Sequence, residues 1–273
     1  MNKVLNSKYI SYIFLIGIAI LFLLPALWVI VASFDSGATL EFKFPKLTLG
    51  NYIQTITDAA NQLAYFNGLY ISVTVSVFTV IISVLAAYPL SRYQLKFKNT
   101  FLLTILFLTG LPIVAIMVPV YILFINMGLV NTLTGVIMFM IAGSLPYSIW
   151  LMKNFIDSVP IELEESAWID GATALQAIRK IVVPVIVPGF FVVFIFNFVN
   201  QWGNFFIPFI LLTSEEKLPI AVHIFQFFGL YGRVDYGALA AYSVLYSLPP
   251  VILYFVGQKY LSGGFTMGGA TKG

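Results

Sequence analysis

Four side-chain amides, Asn197, Asn200, Gln201 and Asn204, stand at i, i+3, i+4 and i+7 of an otherwise apolar stretch. On a helix that spacing puts all four on one face. Amides donate and accept, so such a face suits a ligand rich in hydroxyls. Trp202 and Phe205 in the same stretch could stack on a ligand's apolar side. The same pattern also serves hydrogen bonds between membrane helices, and both uses stay open. Asn131 and Tyr147 are weaker candidates of the same kind. A second concentration of chemistry lies between Lys153 and Lys180, where Asp157, Glu162, Glu164, Glu165, Asp170 and Arg179 crowd together.

What is missing narrows the chemistry. There is no cysteine and one histidine, His223, so thiol catalysis, disulfides and Cys- or His-rich metal sites are ruled out. No H-E-x-x-H, G-x-S-x-G or G-x-x-x-x-G-K-[ST] pattern occurs. No catalytic residue, resident metal or cofactor is therefore expected in this chain. If ATP and Mg²⁺ drive it, partner subunits bind them. Basic residues form no cluster that reads as a nucleic-acid footprint.

The elements that position these residues follow from composition. Of the 273 residues, 60% are hydrophobic and 9% charged, against about 25% charged in a soluble domain. Such a chain has lipid for much of its solvent. Runs free of Asp, Glu, Lys and Arg cover residues 9–34, 59–91, 99–152, 181–214 and 236–258. About 20 apolar residues cross a bilayer. Four runs fit one helix each, and 99–152 fits two, with a break near Gly128, Asn131 and Thr132. Six spans are expected in an all-α membrane protein. The run 218–232 is too short to cross and reads as an extracytoplasmic loop or interfacial helix. The first apolar stretch is longer than a signal-peptide h-region and no A-x-A follows, so a retained helix is expected. With six spans and N-in/C-in topology, ten basic residues fall inside and four outside, as the positive-inside rule requires. No ionisable residue falls mid-span, which argues against a proton-coupled pump.

The acidic loop reads as two short helices. Pro160 suits a first helical position, the three glutamates favour the first turn, and Gly171 can end the helix in a left-handed cap. Thr173 and Gln176 form a capping-box pattern for a second helix, which runs on towards Pro184.

Here the residues carry a resemblance. Glu165-Ser166-Ala167, three residues, Gly171, nine residues, then Ile181-x-Val183-Pro184 resembles the EAA coupling motif of ABC importer permeases, E-A-A, three residues, G, nine residues, I-x-L-P. Ser166 replaces Ala and Val183 replaces Leu, while Asp170 and Ala172 meet the extended form. Phe44 to Tyr52, Ala87 to Arg92, Trp202 to Pro208 and the tail Gly263 to Gly273 resemble, in order, segments of the maltose-type carbohydrate branch. Pro89, Gly203 and Phe265 are departures from it.

The resemblance implies a multi-pass permease of a bacterial cytoplasmic membrane, paired with a second permease subunit and two ATPase subunits. An extracytoplasmic substrate-binding protein would deliver a carbohydrate, touching the loop around 213–235. Glu165, Ser166, Ala167, Asp170, Gly171, Ile181 and Pro184 would form the ATPase-coupling helix elbow. Asn197, Asn200, Gln201, Trp202 and Asn204 are the candidate substrate pathway. The expected organisation is residues 1–58 as first helix and extracytoplasmic loop, 59–262 as a core domain with the coupling loop at 154–183, and 263–273 as a glycine-rich cytoplasmic tail. The alternative is a stand-alone, ion-coupled secondary transporter.

Overall fold

A computed structural model describes residues 2–41, 43–228 and 234–269. The protein is 80% helical, with no strand among the described residues. The helices are α1 (Asn2–Ser33), α2 (Gly50–Thr57), α3 (Ala59–Arg92), α4 (Lys98–Thr109), α5 (Ile113–Asn126), α6 (Leu133–Asp157), α7 (Ile161–Ile169) and α8 (Ala174–Ala177). A π-turn, Ile178–Val182, joins α8 to α9 (Val183–Trp202), followed by α10 (Phe206–Leu211), α11 (Ile220–His223) and α12 (Tyr236–Gly269). Five stretches are long and apolar enough to cross a membrane, and α4 with α5 makes a sixth if the pair is one span bent by 93°. The break near Gly128 and Asn131 falls where the sequence places it, since both adopt positive φ and Thr132 caps α6 by accepting from the Gly135 N–H. The bend at Gly110 to Pro112 was not expected. Pro112 has extended geometry at the head of α5 and, lacking an N–H, cannot continue the α4 ladder. The tail reading meets α12, whose backbone runs to Gly269, while residues 270–273 lie outside the described residues.

Contacts divide the chain into residues 1–62 with 223–248, and residues 63–222 with 249–273. In the first unit, α1 buries no residue from Ser11 to Val31 and becomes buried only at Ala32 and Ser33, as a lipid-facing helix can. The loop after it is organised by Asp35. Its Oδ1 accepts from the N–H groups of Gly37 (3.0 Å) and Lys46 (2.9 Å). Asn51 Nδ2 donates to the carbonyls of Ser33 (3.1 Å) and Asp35 (3.0 Å). Gly237 permits this approach, because a Cβ there would stand 2.6 Å from Asn51 Nδ2. His223, expected outside the core, is 4% exposed and its Nε2 lies 3.1 Å from Asn61 Oδ1. The amide of Asn61 fixes the imidazole, so a loop position became an interior one.

The second unit holds two apolar clusters. Ile71 and Val75 of α3 meet Met117 and Phe124 of α5, Val136 and Met140 of α6, and Leu211 of α10. Ala87 and Leu90 of α3 meet Met152 and Ile156 of α6 and Val182, Ile186 and Val193 beside them. Small residues allow the close approaches. A Cβ on Gly189 would meet the Phe155 ring at 2.6 Å, and one on Gly257 would meet Ile195 Cδ1 at 2.2 Å. Two buried hydroxyls on α3 bond back to their own helix, Ser76 to the Ser72 carbonyl (2.6 Å) and Ser83 to the Val80 carbonyl (2.9 Å), while Ser72 Oγ and Thr79 Oγ1 are buried without a partner among the described residues.

Two backbone N–H donors, from Gly37 and Lys46, hold the Asp35 carboxyl below the usual carboxylate range, helped by the Lys43 and Lys46 charges and opposed by burial. A lowered folded pKa means that its contribution is complete above the unfolded value and is lost as pH falls through the folded one. Protease cutting of the 34–50 loop should therefore accelerate as pH drops from neutral towards about 3. Asp35→Asn should be cut faster at neutral pH and lose that acid dependence. An unchanged acid profile in the variant would remove Asp35 from this role.

Candidate functional site

Two features gather the candidate residues. The first is the elbow between α7 and α8. Pro160 stands one residue before α7, as its cap, rather than at the first helical position. Gly171, at φ +85°, ends α7 as the sequence requires. The Gly171 N–H donates to the Trp168 carbonyl (3.1 Å) and the Ala172 N–H to the Ala167 carbonyl (2.9 Å), a Schellman closure. Thr173 and Gln176 cap α8 reciprocally, the Thr173 N–H donating to Gln176 Oε1 (2.8 Å) and the Gln176 N–H to Thr173 Oγ1 (3.3 Å). The second helix is not separate, as expected, but runs into the next span. Pro184 offers no N–H and its ring would crowd the carbonyl four residues back. The chain widens there, and the Val183 N–H donates to the Ile178 carbonyl instead.

This geometry turns two apolar side chains outward, Ile169 (86% exposed) and Leu175 (73%). Glu165, Ser166, Asp170, Gly171 and Pro184 are exposed around them, while Ala167 and Ile181 are half-buried. Ser166 donates to its own helix, at the Glu162 carbonyl (2.7 Å). Sequence reasoning missed the adjoining Glu164. It is completely buried, with Oε1 accepting from Arg92 Nε at 2.6 Å and Oε2 from the Tyr88 hydroxyl at 2.7 Å. The pairing spans 72 positions, and local spacing does not reveal it. A basic residue at the end of one span and three glutamates in one loop were the available signal.

The second feature is a cavity of about 780 Å³ in the second unit, bordered by α4, α5, α6 and α9. Asn197, Asn200, Gln201 and Asn204 all line it, with Ser144, Ser148, Tyr147 and Phe196. Among the described residues, no charged side chain does. The four amides are not equally available. Asn197 is buried and donates to Ser148 Oγ (2.9 Å) and the Val193 carbonyl (2.8 Å), so it joins α9 to α6. Asn204 Oδ1 accepts from the Ile207 N–H (3.2 Å) at the start of α10. Gln201 donates to Ser144 Oγ (2.8 Å), yet its Oε1 is buried with no hydrogen-bond donor. Asn200 is exposed to the cavity. Trp202 is not brought to it. Only 3% exposed, it packs edge-on to Tyr65 (5.4 Å) and along Phe198 (5.8 Å). Tyr147 lines the cavity, whereas Asn131 lies before α6 and ties two loops. Asn131 donates to Ser214 Oγ (2.7 Å) and accepts from the Thr213 and Ser214 N–H groups (3.1 Å each).

The binding-protein-dependent transport system inner membrane component family matches residues 79–266. The sulfoquinovosyl glycerol transport system permease protein SmoH of Agrobacterium fabrum is 32% identical over 254 residues, covering 90% of this chain and 88% of that one. The arabinooligosaccharides permease AraQ of Halalkalibacterium halodurans is 32% identical, covering 97% and 98%. The trehalose/maltose permease MalG of Thermococcus litoralis is 30% identical along the full length of both. Among solved structures, a chain of a bacterial ABC transporter involved in import of the acidic polysaccharide alginate superposes with a TM-score of 0.80, at 24% identity, covering 93% of this chain and 95% of that one. That likeness is one of fold.

Asn131→Ala removes three hydrogen bonds from the loop junction, and should cost roughly 1–3 kcal/mol, seen as a lower unfolding temperature in detergent. Asn131→Gly, which accepts the left-handed backbone without strain, should lose as much. Recovery in the glycine variant would assign the effect to φ instead.

Proposed function

The chain belongs to the inner membrane component family of binding-protein-dependent transport systems, and from that premise we propose that it carries an uncharged saccharide through the amide-lined cavity. It is a permease subunit of an ABC importer, with ATP hydrolysis in separate subunits. The family sets aside the stand-alone secondary transporter.

The single observation behind the substrate class is the lining. Asn200, Tyr147 and Phe196 offer hydrogen bonds and ring faces, and among the described residues no Lys or Arg lines the cavity to meet an acid. Relatives named for arabinooligosaccharides and for trehalose and maltose agree with such a ligand. Asn197 and Trp202 are reassigned to packing, which leaves Asn200, Gln201 and Asn204 of the lining as the proposed pathway residues.

The proposed topology is six spans, with α4 and α5 forming one bent span, and N-in/C-in orientation supported by the ten-to-four split of basic residues. The elbow then faces the cytoplasm. Ile169 and Leu175 enter a groove of an ATPase subunit, with Glu165 and Asp170 making polar contacts at its edge. The proposed core domain, residues 59–262, and the coupling loop, 154–183, carry this work.

Expression with the neighbouring genes, gentle purification and reconstitution provide the test. Hydrolysis should rise with a binding protein loaded with a neutral oligosaccharide, and neutral sugars should compete where uronates and sulfonates do not. Asn200→Ala should lower transport about fivefold, the equivalent of one hydrogen bond of about 1 kcal/mol. Equal transport of an anionic sugar would contradict the uncharged class. Glu165→Lys should strip the ATPase during purification, and normal retention would count against the docking.

A further inference from the structure

Helix α7 is nine residues long and Glu164 is its one buried residue. No apolar side chain of this helix is buried, so the ordinary means of seating a short helix is missing. Instead, α3 grips both carboxylate oxygens. Arg92 Nε donates to Oε1 (2.6 Å) and the Tyr88 hydroxyl to Oε2 (2.7 Å). The same guanidinium donates through Nη2 to the Val159 carbonyl (2.9 Å), in the link between α6 and α7. Beside it, Ser91 donates to Asp157 Oδ1 (2.5 Å) at the end of α6, and Lys153 pairs with Asp157 Oδ2. Three elements thus meet at one arginine.

A buried ion pair adds little net stability over apolar residues, because both charges are desolvated. What it adds is direction. Charge-assisted hydrogen bonds are short and narrow in angle, and a guanidinium has a fixed planar fork. An apolar contact slides under load, whereas this one resists. Glu164 also lies about 100° around the helix from Glu165, so the grip on α3 and the outward, docking side of α7 are separate faces of one rigid turn.

We propose that Glu164, with Arg92 and Tyr88, is the positioning joint through which displacement of α7 reaches α3, and that it sets how much sugar is moved per ATP hydrolysed. This rests on the docking of α7 against an ATPase subunit. Glu165 engages the partner, and Glu164 passes the motion on.

The test uses the assembled transporter in proteoliposomes with loaded binding protein, and reads sugar imported per ATP hydrolysed. Glu164→Gln and Arg92→Gln should retain the ATPase through purification and hydrolyse ATP, while transport per ATP falls about tenfold, within the usual range of coupling energies. The double variant Arg92→Gln/Glu164→Gln removes the lone buried charge and lets two amides pair. It should recover to within about threefold of the natural protein, since one unpaired charge is worse than none. A merely structural role would lower yield and unfolding temperature without changing the ratio. Wild-type ratios in both single variants overturn the joint. A double variant as impaired as the singles does so as well. Should Glu164→Gln fail to accumulate, Tyr88→Phe removes one hydroxyl only and carries the same test with a smaller fall. Glu165→Lys run alongside separates the two ideas. ATPase retention by that variant sinks the docking, whereas ATPase loss there, with an unchanged ratio in Glu164→Gln, sinks only the joint.

Discussion

In hydrocarbon every polar group without a partner costs several kcal/mol, and few features of this chain escape that constraint. With lipid around them, apolar helices gain nothing from each other by leaving water. Association depends on close packing and on hydrogen bonds. Gly189 lets the Phe155 ring lie against backbone, and Gly257 does so for Ile195. The Ser76 and Ser83 hydroxyls are satisfied within α3 itself. Asn197 takes its partners from both its own helix and α6.

The same constraint explains why the irregular stretches carry the work. A helix in lipid closes all its backbone bonds, and a deviation needs a reason and a remedy. Pro184 removes one donor, and the π-turn supplies a wider bond from Val183 to Ile178. At the elbow, proposed to face the cytoplasm, Gly171 ends α7 at a left-handed residue, and the freed carbonyls of Trp168 and Ala167 find donors one and two residues past Asp170, at Gly171 and Ala172. The remedy leaves Ile169 and Leu175 outside, either side of a turn with little freedom to relax. The bend between α4 and α5 lies beside the cavity, where Leu111 and Ile113 join its lining. Non-helical backbone at membrane depth belongs where it borders a cavity or other protein.

Much of this is legible in the sequence because it is local. Gly171, the Thr173–Gln176 box and the Gly128–Thr132 break are each specified by residues within a turn of one another. The amide face at 197–204 follows from helical period alone. Period does not say which amides have partners across the interface, since that depends on Ser144 and Ser148 some 50 positions earlier. Trp202 was misplaced for the same reason. An aromatic beside the polar face is as well suited to a ligand as to Tyr65, and only the packing of α3 decides. Glu164 and Glu165 are chemically alike, and which one turns inward is fixed by where α3 ends. The 93° bend was hidden because charge-free runs count residues, and α4 and α5 together have enough for a span.

The division between committed and uncommitted amides also bears on how a pathway can work. A carrier must release what it binds, and a site that held its sugar tightly would trap it. A hydrogen bond contributes about 1 kcal/mol net, and a millimolar site needs only about 4 kcal/mol. On the proposed pathway, Asn200 and two or three ring contacts would supply an affinity of that order. Four fully available amides with a stacked indole would hold the ligand more firmly. Tying Asn197 to Ser148 and turning Trp202 into the packing therefore both stiffens the cavity wall and keeps the face weak. Selectivity in such a system is better placed in the delivering protein, and the drive in the ATPase. On the proposed coupling, the permease needs a smooth, neutral surface and a rigid connection from α7 to α3, which packs against the lining helices α5 and α6.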